Sequence, residues 1–218
     1  MKYILFTTLI LTLSMSCSTD KTKDDMGIFD RLKKEKIEKT HLLMDEDRFW
    51  TLIDKSKKSS DDLEEFTEDL TNELKKLSSA DIIGFHLREQ KLRFDSYTSE
   101  LWCAGYIMNG GCSDDSFEYF RCWIIAQGKE AYYSSLKNSD WLVNLYSEDV
   151  DEYDFEDLMY IASDAFEQKN KKDIEDYVDY NRFKEHEGEH PEIQFNWEED
   201  NEESMMKICP KLMEAAGN

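Results

Sequence analysis

Two segments of this sequence have no wet face. Tyr97–Met108 and Phe117–Ala126 are apolar almost all the way round, with Trp102, Tyr106, Phe120 and Trp123 among their side chains. Each reads as a helix, and a helix that is apolar on every side has to be surrounded by protein. Between them runs Asn109-Gly110-Gly111-Cys112-Ser113-Asp114-Asp115. Its glycines suit the left-handed end of one helix, and Ser113 or Asp114 suits the cap of the next. The elbow therefore joins the two driest elements directly.

The rest of the chain supplies the shell. Asp45 or Asp47 can cap a helix carrying Phe49, Trp50 and Ile53. Leu63, Phe66, Leu70, Leu74 and Leu77 fall at steps of three and four, with Asp61-Asp62 at the positive end and Lys75-Lys76 at the negative end. Ser79 and Asp81 open a third helix with Ile83, Leu87 and Phe94 on one side. Gln127–Leu136 and Trp141–Leu145 continue as short helices, the second capped by Ser139 or Asp140. Leu158, Ile161, Ala162, Ala165 and Phe166 form a further stripe. Only 8 Gly and 2 Pro in 218 residues argue against a turn-rich all-β fold. The expected architecture is all-α: one helical domain, with the Asn-Gly-Gly elbow joining a central buried pair and amphipathic helices packed around it.

The chain's start reads differently. Residues 1–16 open with Lys2 and continue as a short apolar run, about half the ~20 residues that span a bilayer, which suits a secretory signal. Ser14-Met15-Ser16 is a small-x-small cleavage pattern and Cys17 follows it. The segment resembles a bacterial lipoprotein signal with Cys17 as the lipidated residue. It departs from the usual pattern in having Ser14 three before the cysteine, with Leu13 one step further out. The expected location is the bacterial cell envelope, lipid-anchored and either periplasmic or surface-exposed; soluble secretion is the alternative. Residues 17–40 read as lipidated cysteine and charged tether, 41–170 as the helical core domain, and 171–218 as a polar C-terminal extension with a short closing helix.

The formal net charge is −22, from 27 Lys+Arg against 49 Asp+Glu. Nucleic-acid binding needs cations that displace phosphate counterions, so that class is excluded as an expectation. Glu148–Asp157 holds seven carboxylates in ten residues and 198–203 holds five in six. Neither has the alternating Asp and central Gly of an EF-hand loop, so each reads as a solvated loop or helix start. Cys103, Cys112, Cys122 and Cys209 allow three pairings in an oxidising compartment. Cys103 and Cys122 sit among Trp, Ala, Ile and Phe and read as small buried residues.

From about Asp47 to Gln168 the chain resembles the bacterial family catalogued as "domain of unknown function 4240". The residues that carry this are Phe49-Trp50, Ile53-Asp54, Leu101-Trp102, Ala104 and Tyr106-Ile107. They continue through the run Asn109 to Asp115, Phe117, Tyr119-Phe120-Arg121, Trp123-Ile124 and Gln127-Gly128. Cys209-Pro210-Lys211-Leu212 resembles the family's closing Pro-Lys-Leu. Departures are the added signal and tether and the His-bearing insert before Pro191. The resemblance implies a helical domain and no agreed activity.

Two groups of residues are candidates for chemistry. Around the elbow, Asn109, Cys112, Asp114, Asp115, Arg121 and Gln127 can converge beside Trp102, Tyr106 and Trp123 as a ligand pocket. A carboxylate near a partly buried Arg and a thiol can be tuned for acid–base or nucleophilic work. The plainer reading is that Ser113-Asp114-Asp115 start a helix and Arg121 bridges to another. The second group is His186-Glu187-Gly188-Glu189-His190, a literal H-E-x-x-H. Zinc hydrolases place both imidazoles on one face of a buried helix, whereas here Gly188 interrupts, Pro191 follows and the flanks are charged. His186 and His190 are weak metal candidates, and His41 and His86 read as surface or helix-face residues.

The expected function is a non-catalytic envelope lipoprotein without a cofactor. It would bind an unknown protein or small ligand, a basic protein being the partner its charge suits, and would meet the membrane only through its lipid anchor. The alternative is a hydrolase, at the elbow or at His186–His190.

Overall fold

Local side chains start most of the helices. A computed structural model describes residues 36–188 and 191–217. The expected signal, Cys17, most of the tether and His190 lie outside the described residues. Helix α1 (Glu46–Ser59) begins at Asp45, whose carboxylate accepts the Arg48 N–H at 3.0 Å. Helix α2 (Leu63–Leu74) begins at Asp62, which accepts from Glu65 N at 2.9 Å. Ser78 opens α3 (Ser79–Asp95) and Thr98 opens α4 (Ser99–Asn109) in the same way. Each cap is worth roughly 1 kcal/mol against alanine. Helix α4 ends on Gly110 at φ +64, a left-handed residue that lets the Gly111 N–H reach Tyr106 O at 2.9 Å. Ser113 then caps α5 (Asp114–Ala126).

The two helices flanking the elbow are buried. Trp102 is 7% exposed, Trp123 is 8%, and Phe117, Phe120, Ile124 and Ile125 are sealed. They approach at Gly105 of α4, where an added Cβ would stand 3.0 Å from Phe120 Cδ1 of α5. A third helix joins them. Helix α3, read as amphipathic, buries Ile82, Ile83, Gly84, Phe85, His86, Leu87, Glu89, Leu92 and Arg93. Two of its charged residues, Glu89 and Arg93, turn inward, paired with each other and, through Arg93, with Glu118 of α5.

Among the described residues the shell is built from helices and the loops that join them. Helix α7 (Leu158–Asn170) lies against α2 and α3, burying Ile161, Ala162, Ala165 and Phe166. Helix α6 (Lys129–Lys137) leads into a 3-10 helix, Ser139–Asn144. Asp140 does not cap that turn. Its Oδ1 accepts the Lys211 and Leu212 N–H groups, both at 2.9 Å, and so caps α10 (Pro210–Ala215). Among the described residues the single β-bridge joins Thr40 to Val178.

From Ile37 onward the described residues form one compact unit. Thr40, placed in the tether by sequence, is tied down by Thr40 N to Tyr177 O (3.0 Å) and Asp179 N to Thr40 O (2.9 Å). The C-terminal stretch also belongs to the body. A second 3-10 helix (Ile174–Tyr177), α8 (Tyr180–Glu187), α9 (Glu202–Ile208) and α10 contribute Ile174, Phe183, Met205, Leu212 and Met213 to the core, joined by Trp197 and Cys209. Side chains of this size contribute about 2 kcal/mol each on burial, enough to hold down a segment whose surface is mostly charged.

Candidate functional site

The elbow does not gather its residues into one pocket. Trp102 donates from Nε1 to Cys112 O at 3.0 Å and stacks on Phe117 at 4.5 Å. Arg121 lies over Phe117 and Tyr97, with Cζ at 4.7 and 4.9 Å from the ring centres. Its Nη1 donates to Arg93 O at 2.6 Å and its Nε to Phe117 O at 3.1 Å. Asn109 and Trp123 both meet Tyr153 from the acidic loop, and Gln127 meets Lys57 Nζ through its backbone and side-chain oxygens. Asp114 and Asp115 are exposed in the first turn of α5. Burial pushes the Cys112 thiol up to about 12, against the pull of Arg121, so at neutral pH it is a protonated, weak nucleophile.

His186 has another partner. Its ring stacks on His41 at 5.0 Å. Helix α8 ends at Glu187, and Gly188 at φ +86 breaks the H-E-x-x-H before its second histidine. Among the described residues no group of three or more His, Cys, Asp or Glu is placed to hold a metal ion.

Sequence reading missed a buried ionic cluster. Glu89 of α3 is 1% exposed and pairs with Arg93 one turn on, which also reaches Glu118 of α5. Burial raises the Glu89 carboxyl, opposed by Arg93; for Arg93 the cost of burial is outweighed by the two carboxylates, which keep it charged. His86, also inward on α3, accepts from Gln90 Nε2 at 2.9 Å and lies 3.3 Å from Tyr180 Oη. Burial, helped by the charge on Arg93, pushes its pKa down to about 4. The four residues of α3 form a polar seam sealed by α5 and α8.

Three of the elbow candidates open on cavities, but not on the same one: Trp123 and Gln127 line a cleft of about 280 Å³ with Lys57 and Phe66, and Tyr106 lines another. Tyr106, Ile107 and Gly110 form one wall of a cleft of about 330 Å³; Met205 and Met213 of α9 and α10 form its apolar floor. Glu199, Asp200 and Glu202 stand at its edge. The opposing wall is set by an aromatic hook. Trp197 donates from Nε1 to Ser99 O at 2.9 Å and packs on Tyr106 at 5.4 Å, while Phe195 meets Trp102 at 5.2 Å. Asn201 then caps α9 by accepting Ser204 N at 3.1 Å, and Ser204 Oγ accepts Glu198 N at 2.9 Å. These bonds hold the three carboxylates in one tight turn. Partial burial and the charges of Glu199 and Asp200 raise the Tyr106 phenol, which keeps its proton. The cleft offers an apolar base, an aromatic face and fixed negative charge, a combination suited to an organic cation.

No curated protein and no solved structure is a match for the chain. A family model described as "Protein of unknown function (DUF4240)" matches residues 44–168, from the approach to α1 into α7. The match includes the elbow and the Tyr106 wall of the cleft, and stops short of the wall built from residues 199–213. With more than half of its length inside that match, the chain belongs to the DUF4240 family of proteins of unknown function.

Proposed function

We propose that this protein is a non-catalytic binding module, held at the bacterial cell envelope by a lipid on Cys17, whose cleft receives a cationic side chain of a basic partner protein. The observation that carries the reading is the placement of Glu199, Asp200 and Glu202 around a floor of Met205 and Met213. A lysine or arginine stem lies favourably on such a floor while its head meets the carboxylates. The chain's net charge of −22 gives a long-range field that speeds encounter with a basic surface, and the cleft supplies the local fit. The signal-like start and Cys17 support the anchor. Neither hydrolase reading gains geometry: the Cys112 thiol is held protonated, and His186 is separated from its second histidine by the end of α8.

The cleft is tested with a synthetic Lys-Ala repeat peptide titrated at low salt. Glu199→Gln/Asp200→Asn/Glu202→Gln should weaken binding at least tenfold. Glu64→Gln/Glu65→Gln/Glu68→Gln, which removes the same charge from α2, a helix that packs on α1 and α7 and lines no part of the cleft, should leave it within about twofold, since screened surface charges contribute little beyond ~10 Å. Equal losses would reduce the cleft to general electrostatics. For the anchor, the Cys17→Ser chain should move from the membrane fraction to the soluble one; retention at the membrane would remove the lipid from the account.

A further inference from the structure

The two walls of the cleft meet again behind it, at a pair of cysteines. Cys103 lies on α4 one turn before Tyr106 and Ile107. Cys209 sits at the junction of α9 and α10, between Met205 and Met213. Both are fully buried, and their thiols are hydrogen-bond partners. Cys209 Sγ is also 3.2 Å from Ser139 Oγ of the adjoining 3-10 helix, the element whose Asp140 caps α10. Cys112 and Cys122 stand elsewhere, the first under Trp102 and the second beside the Glu89–Arg93 pair.

We propose that Cys103 and Cys209 are the site of a disulfide that locks the C-terminal helices onto α4. Of the six pairs that four cysteines can form, this one joins thiols that are hydrogen-bond partners, and it leaves Cys112 and Cys122 as thiols. Before docking neither thiol is sheltered, and the exchange balances equally from either; here Cys209 attacks first. Its thiolate attacks one sulfur of a small-molecule disulfide such as glutathione disulfide. That S–S bond breaks, and the first thiolate leaves with the proton Cys209 released. Cys103 then gives up its proton to the second leaving thiolate as its sulfur displaces that group from Cys209. Two protein thiols are oxidised by two electrons and one disulfide is reduced to two thiols. The exchange takes place before the C-terminal segment docks, since the docked pair is closed to reagents of this size.

The test uses the full chain carrying Cys17→Ser, refolded with oxidised and reduced glutathione, then unfolded, alkylated and mapped without reduction. The expected product is a Cys103–Cys209 cross-linked peptide, two hydrogens lighter than its separate halves, with Cys112 and Cys122 alkylated. Four alkylated cysteines, or a cross-link that includes Cys112 or Cys122, would overturn the assignment. Oxidation should also raise the melting temperature of this chain by several degrees and leave Cys103→Ala/Cys209→Ala unmoved. An equal shift in the double variant counts against the pair, and the peptide map decides alone if that variant does not fold. A cross-linked protein that ignores the Lys-Ala peptide would remove the proposed cleft function and leave this inference standing.

Discussion

Asn109 holds the backbone of Tyr153 from both sides: its Oδ1 accepts the Tyr153 N–H at 2.8 Å, and its Nδ2 donates to the Tyr153 carbonyl at 3.4 Å. The elbow thereby anchors a loop rich in carboxylates that would otherwise repel itself off the surface. Tyr153 completes the anchor by burying its ring against Trp123 and bonding Ser147 through its hydroxyl. Asn109→Ala should destabilise the protein by about 1–3 kcal/mol, because it strips the partners from a largely buried peptide group. Asn109→Asp keeps the acceptor and should cost less at neutral pH. Urea unfolding measures both, and an alanine variant as stable as wild type would show that the clamp carries no weight.

The contact between Gly105 and Phe120 sets how closely the two helices flanking the elbow can pack. A methyl group at 105 would press on Cδ1 at 3.0 Å and Cε1 at 3.2 Å of a ring with no room to retreat. Gly105→Ala gains helix propensity of about 1 kcal/mol and loses a similar amount to crowding, so its net effect should be small. Gly105→Val adds two more carbons at the same place and should cost about 2–3 kcal/mol. Thermal melts of the pair would separate tight packing from a loose interface, in which valine would be tolerated as well as alanine.

Much of the helical order could be read directly, and the reason is local. Asp62, Ser113 and the Gly110 bend act within a few residues of themselves, so their roles appear in sequence as they do in space. The polar seam on α3 could not be read that way. Glu89 and Arg93 are four apart, which in sequence is the mark of an exposed ion pair; only Glu118 and Tyr180, from other elements, turn that face inward. Tyr106 was legible as a candidate, but its cleft was not, because the facing wall comes from a stretch about a hundred residues later. One signal was available there: Phe195, Trp197, Met205, Leu212 and Met213 are too large and apolar for a solvated tail. The convergence expected around Asp114, Asp115 and Gln127 does not occur, since α5 carries its start and its end to opposite ends of a 13-residue rod.

The Glu89–Arg93 pair should behave as a buried ion pair rather than a surface one. Arg93→Met leaves Glu89 without its main counter-charge, while Glu118, whose side chain is 32% exposed, can turn to water. Arg121 is nearby but already committed to two backbone carbonyls. The single variant should lose about 3–5 kcal/mol, and Glu89→Leu/Arg93→Met should recover most of it, because replacing both partners removes the stranded charge. Urea midpoints test the order. A double variant no better than Arg93→Met would mean that the pair's packing, rather than its charge, is what matters.

Acid should weaken the fold through His86. Its folded pKa lies near 4 and its ordinary value is 6.5, so the unfolded chain takes up a proton that the folded chain refuses. The stabilisation from keeping His86 neutral is complete above about pH 6.5, declines as the pH falls, and is gone below about pH 4, a loss of roughly 3 kcal/mol. Glu89, with its raised carboxyl, works in the opposite sense over part of that range, and Glu175 lies 3.6 Å from His86 Nε2. The readout is therefore the difference between wild type and His86→Gln, in which contributions common to both chains largely cancel. That difference, measured by urea unfolding at successive pH values, should narrow in wild type's disfavour from neutral pH down to pH 4. If the two stabilities instead run parallel, His86 takes up its proton as readily in the folded chain as in the unfolded one, and its contact with Glu175 offsets the cost of its burial.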